Sequence, residues 1–243
     1  GYVYCEDEPT PERYSHCRSL ADQIHQAGRD IAFLLPMTTP PDPILFGCVD
    51  IWVQKLDSFD NPVCRKRKEA GDRLWWYTCV SPQSPYPTYL IDDSGVSPRV
   101  LSWLQAKYRV EGVLYWCVNL CSEYKNGEYQ PEISVWEKAE MFPYGNGDGF
   151  LVYPGKQVGI NGPVSSIRLE LIRDGNEDVE YFNLLRRLMA ENGVRNIEEK
   201  IAQLIHPVAE DLTHWTKNPR KLMKQREILA SQILKQMEIL KNR

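Results

Sequence analysis

The run Tyr2-Val3-Tyr4-Cys5-Glu6-Asp7-Glu8-Pro9 leads a hydrophobic stretch directly into three acids and then a proline. Carboxylates at the C-terminal end of a strand stand where barrel enzymes assemble their active sites. Two neighbouring acids held in different environments can divide proton transfer from charge stabilisation. As a bare motif, acids ahead of a helix also serve simply to complement its dipole.

Aromatic residues cluster on the later apolar runs. Trp75, Trp76 and Tyr77 are consecutive, and Tyr115 and Trp116 follow on the next run. Aromatic faces beside a few polar groups hold the apolar face of a sugar ring. Alternate residues of a strand point to opposite faces, so at least one of Trp75 and Trp76 is expected in the core. Asn119 closes the last run and offers an amide to a hydroxyl. The four histidines (His16, His25, His206, His214) lack metal-ligand spacing, and no phosphate loop or nucleophilic serine motif appears. No cofactor and no metal are expected.

The elements that must position these groups are short. Apolar runs at Tyr2–Cys5, Asp30–Leu35, Val49–Val53, Leu74–Cys79 and Val113–Val118 alternate with helix-compatible stretches, the pattern of βα units on a parallel sheet. Thr10–Gly28 reads as a helix with Pro11 at its first position and Gly28 as its stop. Arg65–Gly71 reads as a weaker, charged helix. Ser97 and Pro98 start another that runs to Tyr108. Glu123–Gly162 is loop, carrying Gly145-Asn146-Gly147-Asp148-Gly149, where Asp148 suits a turn. A long helix then starts at Ser165 or Ser166 and ends at Asn192-Gly193, with an apolar stripe of Ile167, Leu171, Leu184, Leu185 and Leu188. Its acidic middle, Asp174–Glu180, reads as a bend or break. Two or three amphipathic helices follow, and the tail from Lys217 is locally basic.

With 243 residues, 42% of them apolar, the chain can bury a sizeable core. A net charge of −4 argues against nucleic acid as a partner, and no apolar run approaches the roughly 20 residues that span a bilayer. The seven cysteines are an odd number without a CxxC pair, which suggests buried thiols; Cys117 and Cys121 are the close pair. A closed (β/α)8 barrel needs eight strands and about 250 residues. Five strands therefore fit either a smaller open sheet or the second part of a barrel, and a strand starting at residue 2 suggests that further sequence stands upstream.

The runs Trp76-Tyr77-Thr78-Cys79-Val80-Ser81-Pro82, Tyr86-Pro87-Thr88 and Ile91-Asp92 resemble domain of unknown function 4091, the end of the glycoside hydrolase family 123 barrel. So do Tyr115-Trp116-Cys117-Val118-Asn119, Asn146-Gly147-Asp148-Gly149, Tyr153-Pro154-Gly155, Ser166-Ile167-Arg168-Leu169-Glu170 and Arg173-Asp174-Gly175. The order and spacing match over residues 1–190. The resemblance implies a TIM-type (β/α)8 barrel present as its last five units over residues 1–192, with a helical extension over 193–243. It implies a retaining hydrolase of β-linked N-acetylgalactosamine or a related 2-acetamido sugar, with Asp7 steadying the acetamido group and Glu8 as acid and base. Tyr77, Tyr115, Trp116, Asn119 and Trp75 are then the expected substrate contacts, and a protonated Glu8 is expected to be buried. Leu74–Tyr89 contains no Asp or Glu to serve as a protein nucleophile. The expected partner is a carbohydrate, with an N-terminal segment or a second chain completing the barrel. The competing reading is a non-catalytic carbohydrate-binding or structural protein that keeps the fold. Arg168 and Glu170 are expected to form an ion pair.

Overall fold

A computed structural model describes residues 1–28, 30–130 and 134–242. Residues 131–133 of the expected loop and Arg243 of the tail lie outside the described residues. The chain divides into two compact units, one of Gly1–Thr78 with Val110–Tyr115, the other of Cys79–Arg109 with Trp116 onward.

The first unit is built on five parallel strands, β1 (Tyr2–Val3), β2 (Ala32–Met37), β3 (Ile51–Lys55), β4 (Arg73–Tyr77) and β5 (Val113–Leu114), in the spatial order of the sequence. All five expected strands are present. β2 and β3 are nearly continuous apolar runs because both of their faces are buried. β2 continues past its expected end through Pro36. Ala32 donates its N–H to Gly1 and Phe33 donates to the Asp50 side chain, so alternate N–H groups face opposite neighbours. Pro36 falls in the set facing β1, beyond the last β1 pair at Val3↔Phe33, where a missing donor breaks no ladder bond.

The register places Pro36, Val53 and Trp75 on one face, with Lys55 beside Tyr77. Met37, Gln54 and Trp76 share the other face, where Trp76 meets Phe59 edge-on at 5.0 Å. Of the two adjacent tryptophans, Trp76 is the fully buried one. The first face is concave. Three strand spacings separate β1 from β4, about 14 Å in a flat sheet, yet the rings of Tyr2 and Trp75 lie 5.4 Å apart.

Helix α1 (Tyr14–Ala27) is preceded by a 3₁₀ turn at Pro11–Arg13 and stops at Gly28 in extended backbone. A short α2 (Leu56–Phe59) leads to α3 (Pro62–Glu69), which starts earlier than the charged run suggests. Asn61 is the reason, its side chain accepting from the N–H groups of Val63 and Cys64. The seven cysteines are thiols, Cys117 and Cys121 included. Burial pushes the Cys17 and Cys64 thiols up to about 11.

The second unit carries α4 (Ser97–Tyr108), the short pairs β6 (Tyr124–Lys125) with β7 (Glu128–Tyr129) and β8 (Val152–Pro154) with β9 (Pro163–Ser165), and the helices α5 (Ile167–Glu191), α6 (Ile197–Ile205) and α7 (Pro219–Lys241). Ser97 does not cap α4. Its hydroxyl lies inside the helix, bonded to Thr88 and Asp93, and Val96 holds the cap position. Ser166 does cap α5, accepting from Leu169 N–H. No described helix is long and apolar enough to cross a membrane.

Helix α5 runs unbroken through its acidic middle, contrary to the expected bend. Asp178 is fully buried and accepts from Arg99 of α4, Trp103 of α4 and Arg226 of α7, so the acid that suggests a break is the centre of a three-helix junction. The buried face of α5 accordingly runs through Gly175, Asp178, Phe182, Leu185, Leu188 and Met189, while Ile167 of the expected stripe is 73% exposed. At Gly175 a Cβ would stand 2.3 Å from Ser102 Oγ, which sets how closely α4 and α5 approach. Asp178→Ala leaves two guanidinium groups and an indole N–H without their shared acceptor. It is expected to cost about 3–5 kcal/mol and to lower Tm by roughly 10 °C in thermal denaturation. A Tm within experimental error of the parent would show that the network contributes nothing net.

Candidate active site

The three acids after β1 have separate surroundings. Glu6 takes both of its bonds, each 3.0 Å, from the Arg13 guanidinium at the start of α1, which holds its carboxyl below the usual range. It is thereby committed to the local fold. Partial burial first, and then the neighbouring Asp7 and Glu8 carboxylates, push the Tyr4 phenol up. Tyr4 is absent from the residues expected at the site, although its place three residues before Asp7 on the same exposed segment was a usable signal.

Glu8 has φ +43°, a left-handed conformation that a residue with a side chain rarely adopts. Its carboxylate Oε1 accepts from the Tyr77 hydroxyl, which reaches it across the concave face from the end of β4. Tyr77 is 4% exposed, so the donor is fixed by the sheet while the acid stands at its rim. The burial expected of Glu8 is not found: Asp7 and Glu8 are both exposed. They follow β1, the edge strand of the sheet, whose outer side has no strand among the described residues to cover it.

The remaining expected residues fall in two groups. Trp75 shares the concave face with Tyr77 but sits one layer lower, against Tyr2 and against Gly112, where a Cβ would come within 2.3 Å of its ring. Tyr115 is half-buried in the first unit, just past β5. The fifth strand ends at Leu114 rather than Val118, so Trp116 and Asn119 belong to the second unit. There Trp116 Nε1 donates to Asp148 at 3.1 Å, and its ring meets Phe142 edge-on at 5.4 Å. Asn119 pairs with Phe150 through a backbone bridge and is exposed.

Asp148 is buried and also accepts from Val80 N–H, so it ties two loops together as a turn residue. Arg168 is not paired with Glu170. Its guanidinium donates to the carbonyls of Tyr89, Gly147 and Phe150, at 2.7, 2.7 and 2.6 Å. Glu170 instead pairs with Arg173 and accepts from Ser165. A Cβ at Gly147 would stand 2.5 Å from Arg168 Nη1 with φ +83°, which explains the glycine at the centre of the Gly145–Gly149 run.

A curled parallel sheet with acids just past one strand and a tyrosine reaching them from another defines a mixed α/β protein of the type that places polar chemistry at strand ends. The model of the glycoside hydrolase 123 catalytic domain matches residues 2–185, and the chain belongs to that family. A family 123 glycoside hydrolase from Clostridium perfringens, described for its hydrolysis of glycolipid glycans, is similar in structure with a TM-score of 0.60 at 16% identity. The similarity covers 97% of this chain and 41% of that one, so this chain spans about two fifths of its length. At that identity the likeness is one of fold. No curated protein matches the chain.

Proposed function

We propose that this chain carries the catalytic acids of a retaining glycoside hydrolase acting on β-linked N-acetylgalactosamine or a related 2-acetamido sugar, on five consecutive units of a (β/α)8 barrel. An N-terminal segment or a second chain supplies the other strands. The supporting observation is that the Tyr77 hydroxyl reaches Glu8 across the concave face, which gives Glu8 a fixed partner on the opposite strand while Asp7 stands beside it at the rim. Two acids in different surroundings can take different roles.

In this reading Asp7 accepts the acetamido N–H and so turns the carbonyl oxygen toward the anomeric carbon. That oxygen attacks as the glycosidic bond breaks, and Glu8 gives its proton to the departing oxygen. A bicyclic oxazolinium results. Glu8, now a carboxylate, takes a proton from water, whose oxygen adds to the anomeric carbon and reopens the ring with net retention. Tyr77 fixes the Glu8 carboxyl through both steps. Trp75 and Tyr115, which belong to the same unit as Glu8, are the proposed contacts to the sugar. Tyr77→Phe removes only this hydroxyl. It is expected to lower kcat for an aryl 2-acetamido-β-galactoside about tenfold, the worth of one hydrogen bond to a charged group, with little change in Tm. An unchanged kcat would remove Tyr77 from the mechanism.

A further inference from the structure

We infer that the second unit holds a binding site for a neutral oligosaccharide, centred on Tyr144. A pocket of about 430 Å³ is lined there by Gln83, Asp92, Asp93, Tyr144 and Lys217, among others. Among the described residues Tyr144 is the most exposed of the large apolar and aromatic side chains, at 83%. Its backbone has φ +73°, a conformation that penalises any residue with a Cβ and a bulky one most. That backbone is nevertheless held at both ends: its N–H donates to Glu140 Oε1 at 3.0 Å, and its carbonyl accepts from Gln83 Nε2 at 2.8 Å. A ring left in water on a pinned, unfavourable backbone contributes nothing to packing, and glycine would suit the position better. Strain kept in this way points to a ligand.

The groups around the ring say which kind. Asp93 is spent inside the protein, accepting from Thr88, Ser94 and Ser97. Asp92 uses one oxygen to accept from Asn146 at 3.0 Å, and Gln83 uses its amide nitrogen on Tyr144, so each retains an acceptor oxygen. The Lys217 ammonium lies 5.5 Å from the Trp215 ring and takes part in no ion pair among the described residues. One cation, one carboxylate and an amide oxygen beside an aromatic face match a ligand that is uncharged, rich in hydroxyls and apolar on one side. The choice of a saccharide among such ligands rests on the family's chemistry. The pocket itself needs no turnover at Glu8.

The test uses the full chain carrying Glu8→Gln, titrated with two neutral β-linked probes, N-acetylated chitotetraose and cellotetraose. Adding Tyr144→Gly is expected to weaken binding at least about tenfold while raising Tm by roughly 2–4 °C through relief of the left-handed strain. Tyr144→Trp should retain the affinity, since only the ring face is needed. Equal binding with Tyr144→Gly, or no binding of either probe at about 10 mM, would overturn the proposal. Failure of the hydrolase reading is separate: it would appear as hydrolysis persisting in the Glu8→Gln protein, whatever happens at Tyr144.

Discussion

Replacing Glu8 with glutamine is expected to lower the hydrolysis of 2-acetamido-β-galactosides by about 10²–10⁴-fold, the range that one general acid contributes. The amide keeps the shape of the carboxyl and can still accept from Tyr77, so the concave face and the left-handed turn at residue 8 stay as they are. Only the exchangeable proton is lost. The loss should therefore depend on the leaving group: severe for an alkyl or sugar aglycone, which departs as a strong base, and smaller for a nitrophenol, which needs little protonation. A structural defect would depress all substrates equally. Rates within a factor of two of the parent on an alkyl glycoside would show that Glu8 is not the acid, and a uniform loss with a lowered Tm would assign it a folding role instead.

The acid pair is legible in the sequence because its signal is local: an apolar run, then acids, then Pro9. So are the strands, since β2 and β3 are buried on both faces and contain little but apolar residues. What the sequence does not disclose is pairing over long separations. Tyr77 stands 69 residues from Glu8, and nothing in the neighbourhood of either announces the bond between them. Asp178 looks like a helix breaker in an acidic segment, while its partners Arg99 and Arg226 lie 79 and 48 residues away. The same separation misleads at Arg168. A nearby glutamate is the obvious partner for an arginine, but three carbonyls from two distant loops complete its hydrogen bonding. The exposure of Glu8 is a tertiary matter too, because it follows from the edge position of β1, which residues 1–9 alone do not specify.

A substrate in which hydroxyl replaces the 2-acetamido group is expected not to turn over at all, a larger effect than any single side-chain change. Ordinary retention uses two carboxyl groups about 5–5.5 Å apart, one of them attacking the anomeric carbon. Glu6 is tied to Arg13, and Leu74–Tyr89, which includes β4 and the loop that follows it, supplies no acid. In the proposed reading the nucleophile comes with the substrate. An acetamido oxygen held three bonds from ring carbon C2 has an effective concentration that can reach about 10⁵–10⁸ M, so its removal cannot be offset by binding. If Asp7 acts through that group as proposed, Asp7→Ala should lower kcat strongly on the 2-acetamido substrate while leaving the 2-hydroxy analogue, already inert, unaffected. Two readouts decide the matter. The first product formed from the 2-acetamido substrate, followed by NMR, should retain the β configuration. Measurable hydrolysis of the 2-hydroxy analogue would show that the acetamido oxygen is not the attacking group and would overturn substrate assistance.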